Sequence, residues 1–196
     1  MNRQLKVKPL TLRGEMFFPD WLQIYVNRNT EGFDNPLHNH DFVEFVYIGE
    51  GRGFHHIEND VHSVRKGDFC IIPIGVSHVF RPTGPDRLGQ PLAVYNCLAS
   101  ASLLERLSRS AVDPGVASYI SNLSGPDFAY ACGKDRDGSI ERLFLDLHRE
   151  FSLPRPGAAD ALCALLMRLI IALQRGLAEA AEADAAAAAG PGPNDF

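Results

Sequence analysis

The chain has little of what marks several protein classes. Its 19 lysines and arginines stand against 24 acidic residues, for a net charge of −5, and no basic run is long enough to grip nucleic acid phosphates. The four cysteines form no C-x-x-C pair and lie among apolar neighbours. We therefore expect buried free thiols in a reducing compartment at Cys70, Cys97, Cys132 and Cys163.

Targeting and membrane signals are also missing. The residues from Met1 to Lys8 are basic, but the apolar segment of a signal peptide does not follow them. The longest apolar stretch, Ala161 to Leu173, is interrupted by Arg168 and is shorter than the ~20 residues that a bilayer span needs. These features predict a cytoplasmic protein with no membrane contact.

Three common catalytic motifs are absent as well. There is no G-x-S-x-G and no phosphate-binding loop, and the glycines between Gly49 and Gly53 do not open a helix, as a dinucleotide site requires. With 196 residues, of which 45% are hydrophobic, the chain can form one globular domain, with or without an appendage.

Three histidines and a glutamate stand out among the residues that are present. His38, His40 and Glu44 share parity, so on one β-strand their side chains would leave by the same face, and His78 follows on a later strand. Three imidazoles and a carboxylate suit one divalent ion such as Zn, Ni, Fe or Mn. The alternative is a metal-free hydrogen-bond network that binds a small polar ligand. His55, His56, His62 and His148 show no such spacing and receive no role.

Strand and turn patterns fill the first half of the chain. Residues 1–21 are interpreted as an arm or first strand that closes one end of a barrel. Short apolar segments separated by Gly and Pro then continue to Leu98, which predicts an antiparallel barrel of the double-Greek-key type. Both faces of the segment from His38 to Ile48 are apolar enough to be covered. We expect the barrel to occupy residues 1–98.

Helical periodicity replaces the strand pattern after Leu98. A helical segment is expected over residues 99–185, followed by a linker or tail over 186–196. Its last helix has Asp160 as a candidate N-cap and an apolar stripe wide enough to pack on two sides. One side would be the chain's own domain and the other a second subunit; the alternative is a helix buried in a monomer.

The two histidine-bearing runs resemble the motif pair of the cupin superfamily. Every glycine, histidine, glutamate and proline of that pattern has a match, except that Pro82 stands where many cupins have asparagine. More specifically, the runs Pro36–Tyr47 and Lys66–His78 resemble the sensory domain of AraC-type transcription regulators, over about residues 10–185. In that family, a cupin barrel precedes helices that pair two subunits, then a linker and two helix-turn-helix units.

The resemblance implies a mostly β protein: a double-stranded β-helix barrel followed by a helical dimerisation subdomain. It would bind a small-molecule effector and form a homodimer, with DNA contacted only through a helix-turn-helix domain absent from this chain. The implied metal ligands are His38, His40, Glu44 and His78. The implied effector pocket is Phe42, Val46, Ile48, Val76 and Phe80. The implied dimer interface is Leu162, Leu166, Leu169, Ile170 and Leu173.

Two other functions remain open from the sequence. A metal-dependent cupin enzyme, of the dioxygenase or isomerase type, would use the same four ligands and keep open metal positions for substrate. Against it, no second carboxylate or lysine is evident beside the four ligands. A purely structural dimerisation module is the third possibility. The expectation is a sensor rather than an enzyme.

Overall fold

The computed structural model describes residues 8–84 and 91–188. Within these residues, ten strands form two five-stranded sheets, and the predicted cupin-like barrel is confirmed. The strands are β1 (Leu10–Leu12), β2 (Ile24–Glu31), β3 (His38–His40), β4 (Val43–Glu50), β5 (Arg52–Ile57), β6 (Asp60–Arg65), β7 (Asp68–Ile72), β8 (His78–Pro82), β9 (Leu92–Ala99) and β10 (Ala131–Lys134). The first sheet has the order β1-β3-β8-β5-β6 and the second β10-β7-β4-β9-β2.

Both faces of the second sheet are covered, as predicted for β4. Val43, Phe45 and Tyr47 point outward into a large core that includes the helices. Val46 and Ile48 point inward and belong to a second apolar cluster inside the barrel. The period of two along one strand therefore assigns alternate side chains to two different cores.

Four helices follow or flank the barrel: α1 (Ala101–Ser110), α2 (Pro114–Asn122), α3 (Ser139–Ser152) and α4 (Ala158–Ala188). Local chemistry fixes where the first two begin. Ser100 caps α1 by accepting a hydrogen bond from the backbone N–H of Leu103, and Asp113 caps α2 in the same way through Val116. The helices cover the outer face of the second sheet.

The strand predicted near the N-terminus is present as β1. β1 pairs with β3 in parallel register, with Leu10 opposite His38 and Leu12 opposite His40. Both leucines line the barrel cavity described below. The arm therefore forms part of the cavity wall.

The predicted boundaries need two corrections. β10 lies inside the segment predicted to be helical, yet it pairs antiparallel with β7 at the edge of the second sheet. α4 runs to Ala188, beyond the predicted end at residue 185. Residues 1–7 and 189–196, including most of the predicted tail, lie outside the described residues.

The prediction of four free cysteines is wrong for two of them. Cys70 on β7 and Cys132 on β10 are directly opposite each other, with Cα atoms 4.1 Å apart, and form a disulfide. Their pairing depends on a strand partner 62 residues away, which local sequence does not show. Cys97 and Cys163 are free, and burial raises the pKa of the Cys97 thiol.

The predicted dimer-interface residues are buried within this chain's own core. Leu162, Leu166, Leu169, Ile170 and Leu173 all have 0% exposure and pack with the outer face of the second sheet and the other helices. The prediction that these five side chains lie between two subunits is therefore wrong. By length and composition alone, α4 could cross a membrane, but this face is the face of a core helix.

Candidate functional site

The four predicted ligands converge inside the barrel, although not from one strand. β3 belongs to the first sheet and β4 to the second, because the chain crosses between the sheets at Asp41. The side chain of Asp41 anchors this crossing by accepting a 2.7 Å hydrogen bond from the backbone N–H of Gly14. His78 opens β8 and pairs in register with His38. The structure thus corrects the single-strand prediction but keeps the convergence it implied.

Short distances join the four side chains. Oε2 of Glu44 lies 3.4 Å from Nε2 of His40 and 3.1 Å from Nε2 of His78. His38, Glu44 and His78 each offer a ligand atom, and these atoms all lie within 4.8 Å of one another. This group of four is called the histidine cluster below.

Backbone carbonyls fix the tautomers of two histidines in the cluster. Nδ1 of His38 lies 3.0 Å from the carbonyl oxygen of Pro36, and Nδ1 of His40 lies 2.7 Å from that of Phe42. A carbonyl oxygen only accepts, so each Nδ1 carries the hydrogen and donates it. In the neutral ring, Nε2 then keeps its lone pair, as a metal ligand must.

The electrostatics keep the carboxylate ionised. Burial by itself raises the pKa of Glu44, but its polar contacts with His40 and His78 and their charge lower it by more, so that its pKa lies well below the usual range. Burial and the charge of His78 lower the pKa of His38. An ionised carboxylate is the form of Glu44 that binds a divalent cation.

Three buried atoms of the cluster make no hydrogen bond of good geometry, although they lie close together: Nε2 of His40, Oε2 of Glu44 and Nε2 of His78. Buried polar atoms are stabilised by a well-placed partner. One metal ion between the atoms would satisfy all three together. His38, Glu44 and His78 therefore fit a metal by both chemistry and geometry, and His40 lies beside them, 3.4 Å from Glu44.

His55 is the functional candidate that the sequence analysis missed. It is fully buried on β5, its Nε2 lies 3.0 Å from Nδ1 of His78, and its ring stacks on Phe80 with centroids 3.7 Å apart. Burial, followed by the charge of His78, holds the pKa of His55 well below its usual value. Alternation along β5 was the available signal, since the buried residues Gly53 and Ile57 share the parity of His55.

A cavity of about 250 Å³ adjoins the histidine cluster. Phe42 and Phe80 line it, as predicted. Val46, Ile48 and Val76, which were also predicted for the effector pocket, do not line it. They belong to the apolar cluster that fills another part of the barrel, so the interior is divided into a packed region and an open one.

The wall opposite the cluster is polar, which the sequence analysis also missed. Asn27, Asn29 and Glu31 project from β2 at a period of two, with Asn96 on β9 beside them. Asn35 donates a 2.7 Å hydrogen bond to Glu31, yet burial outweighs that bond and raises the pKa of Glu31. Glu31 also corrects the expectation that no second carboxylate lies near the four ligands.

Solved structures with a related fold include ToxT from Vibrio cholerae. The apo K231A variant of strain SCE256 matches with 9% identity and a TM-score of 0.53, over 78% of this chain and 56% of that one. A second ToxT structure matches with 11% identity and a TM-score of 0.51, over 80% and 57%. The chain therefore spans a little over half the length of ToxT, and this likeness shows the fold.

Comparison of the sequence with known proteins gives two further results. No curated protein matches it significantly. The family model for the AraC-like ligand binding domain matches residues 21–189, which include nine of the ten strands, all four helices and the histidine cluster. The chain belongs to the family of AraC-like ligand binding domains.

Proposed function

We propose that this domain senses a small effector for an AraC-type transcription regulator, and that a divalent metal ion held by the histidine cluster forms part of the effector site. One observation carries the proposal: His38, Glu44 and His78 bring ligand atoms within 4.8 Å of one another beside a cavity, with Nε2 of His40 3.4 Å from Oε2 of Glu44. Four protein ligands leave up to two positions of a six-coordinate metal for an effector.

A ToxT structure supports an effector in this fold. ToxT has been solved bound to (E)-4-(8-methylnaphthalen-1-yl)but-3-enoic acid, and it matches this chain with a TM-score of 0.50 and 13% identity. The match covers 80% of this chain and 57% of ToxT. For this protein, we infer that the effector occupies the barrel cavity and that DNA is contacted by a segment outside the chain.

The strand β4 connects the cavity to the helices. Glu44 faces the cavity, while the next residues of opposite parity, Phe45 and Tyr47, pack in the outer core. The ring of Tyr47 stacks on Phe144 of α3 with centroids 5.6 Å apart. If the effector binds one position of β4 more tightly than another, its binding favours that position. Because α3 and α4 pack against the same sheet, they would move with the strand.

Dimerisation remains part of the proposal, through a different face of α4 than the sequence indicated. Only 28% of the most apolar stretch of α4 is buried. Residues of α4 that are partly or fully exposed follow the 3-4 spacing of a coiled-coil seam, although Met167 also packs against the chain's own core: Ala164, Met167, Ile171, Gln174 and Ala178. We infer that two copies of this seam pack together, so that effector-driven movement of α4 reaches the partner.

The metal is tested by titrating chelator-treated protein with Zn, Ni, Fe(II) or Mn in a calorimeter. The expected result is one ion per chain in the wild type and a large loss of affinity in His38→Ala and His78→Ala. His148→Ala is the control, because His148 lies against Tyr95 on the helix side of the sheet. Absence of stoichiometric binding to the wild type by any of the four ions would refute the metal site.

The dimer is tested by light scattering during size-exclusion chromatography. Ile171→Glu places two charges in the proposed seam and should give folded monomers. Val112→Glu is the control, since Val112 is 99% exposed in the loop between α1 and α2. A dimer that survives Ile171→Glu would refute this seam.

A metal-dependent enzyme is the second candidate, and Glu31 is the observation that favours it. A buried carboxyl whose pKa is raised is suited to proton transfer, and Glu31 lines the same cavity as the histidine cluster. The two functions are separated by incubating the metal-loaded protein with a ligand that binds it, in air. Recovery of the ligand unchanged by mass spectrometry supports the sensor, whereas a new product supports the enzyme.

A further inference from the structure

We propose that the effector is a compact carboxylic acid that also carries a hydrogen-bond donor, a hydroxyl or an ammonium group, a few bonds away from its carboxylate. The inference deepens the proposed function and rests on its metal site. It follows from the two different ends of the cavity. The first is the histidine cluster, and the second, called the amide end, consists of Asn27, Asn29, Glu31 and Asn96.

The amide end offers acceptors that lack donors. Asn27 uses its Nδ2 to donate a 3.2 Å hydrogen bond to Oδ1 of Asn29, which leaves its own Oδ1 buried without a partner. Asn96 is 8% exposed, and its Oδ1 is also buried without a partner. Two orphaned carbonyl oxygens on neighbouring strands favour a ligand that donates hydrogen bonds.

Glu31 adds negative charge to the same end. Asn35 binds only one of its oxygens, Oε2. Asn35 is itself held in place, because Arg81 donates to its backbone oxygen at 2.8 Å and to that of Gly32 at 3.4 Å. Asn35 therefore holds the Glu31 carboxylate in a fixed orientation, in which it can accept a hydrogen bond from a hydroxyl or ammonium group.

The charge of the cavity has opposite signs at its two ends. Among the described residues, neither lysine nor arginine lines the cavity, so no side chain with a permanent positive charge is available to bind an acid. A divalent ion beside the single carboxylate Glu44 gives the histidine cluster a net positive charge, while Glu31 makes the amide end negative. A ligand with an acid at one end and a donor at the other matches both.

The strand register sets the length of this ligand. Asn96 is directly opposite Val46, so Glu44 is its diagonal neighbour across β4 and β9. Such diagonal neighbours are about 7–8 Å apart. A ligand that spans this distance has a chain of about four carbons, and the cavity of about 250 Å³ adjoins both groups.

Four probes of matched length test the inference: 4-aminobutyrate, 4-hydroxybutyrate, butyrate and butylamine. Binding to metal-loaded protein is measured by calorimetry at about pH 8, where carboxylates are ionised. We expect the two acids with donors to bind about tenfold or more tightly than butyrate, which has no donor, and than butylamine, which has no acid. A preference for the amino over the hydroxy acid identifies the donor as ammonium, and the reverse preference identifies it as hydroxyl.

Two variants place the effect at the amide end. Glu31→Gln keeps the shape of the side chain and removes its charge, and it should weaken 4-aminobutyrate about tenfold relative to butyrate. Glu50→Gln is the matched control, because Glu50 lies at the exposed end of β4 in an ion pair with Arg28. Asn96→Leu should weaken both donor-bearing acids, since it removes an acceptor while keeping the branched shape of the side chain.

The outcomes separate this inference from the function on which it rests. Normal metal binding with butyrate as tight as the donor-bearing acids, or with Glu31→Gln indistinguishable from wild type, overturns the ligand class and leaves the metal site intact. Failure of the metal titration overturns the metal site itself and, with it, the carboxylate end of the ligand.

Discussion

Replacing His55 by phenylalanine tests whether the second layer of the site tunes the metal. If Nε2 of His78 binds the ion, Nδ1 of His78 carries a hydrogen and donates it to Nε2 of His55, 3.0 Å away. Phenylalanine keeps the ring that stacks on Phe80 and removes only the acceptor. We expect metal affinity to fall by about 10–100-fold, or about 1.4–2.7 kcal/mol.

The metal-free stability should change little, for a reason visible in the structure. Nδ1 of His55 is a buried atom without a hydrogen-bond partner, so the substitution removes one unsatisfied group. It also creates one, because Nδ1 of His78 loses its acceptor. Each such group costs about 1–3 kcal/mol, so the two effects offset each other to within about 1 kcal/mol.

Two measurements follow from this reasoning: the melting temperature with and without metal, and a calorimetric metal titration. Saturation with metal should raise the melting temperature less in His55→Phe than in wild type, by roughly 3–10 °C. His56→Phe is the matched control, since His56 is the next residue on β5 and is not buried like His55. Unchanged metal affinity in His55→Phe, or an equal loss in His56→Phe, would refute the assignment.

Three further predictions concern the fold. Leu169→Glu buries a charge in the core and should abolish the circular dichroism of the folded state rather than yield folded monomers. Leu169→Ala should still fold, with a free energy of unfolding about 2–5 kcal/mol lower in urea titration. Reduction of the Cys70–Cys132 disulfide, which closes 62 residues, should lower stability by about 2–4 kcal/mol and the melting temperature by roughly 5–15 °C; an unchanged melting curve in reductant would contradict this. Burial raises the pKa of Tyr119 from 10.0 to about 12. The stability that its neutral hydroxyl contributes to the fold is therefore fully present below pH 10 and is lost as the pH rises to 12. Tyr119→Phe should flatten that decline, and an identical alkaline profile would argue against it.

The histidine cluster could be predicted from sequence because strand geometry has a short period. His38, His40 and Glu44 keep their common face even though a sheet crossing at Asp41 separates them. His78 could be added because its spacing from Gly67 and Pro73 matches a known motif. Local spacing was sufficient to predict that these four side chains converge.

The surroundings of the cluster depend on contacts that no local pattern contains. β10 has the sequence Ala-Cys-Gly-Lys, which lacks strand alternation, and it becomes a strand only because β7 is beside it. The division of the barrel interior was equally hidden, since Val46 and Phe42 are both apolar and inward while only Phe42 reaches the cavity.

The burial of α4 was ambiguous for a different reason. Apolar residues occupy most of its circumference, so the sequence predicted two contact faces without telling which face meets the chain's own sheet. The structure places Leu166 and Leu169 inward and leaves Ile171 only partly covered. When apolar residues cover so much of a helix, the packing of the whole domain, and not the sequence pattern, decides which face is buried.

The alternation along β4 has a consequence for anyone who wishes to redirect this domain to a new inducer. The same strand places Glu44 in the cavity and Phe45 and Tyr47 against the helices. Ligand binding and its transmission to the helices therefore both depend on this strand. β2 and β9 show the same alternation, because Asn27 and Asn96 line the cavity while Val26 and Cys97 pack in the outer core. A library at cavity positions of any of these three strands would therefore change ligand binding and its transmission to the helices together, and a screen for response could not distinguish a variant that binds poorly from one that binds without responding.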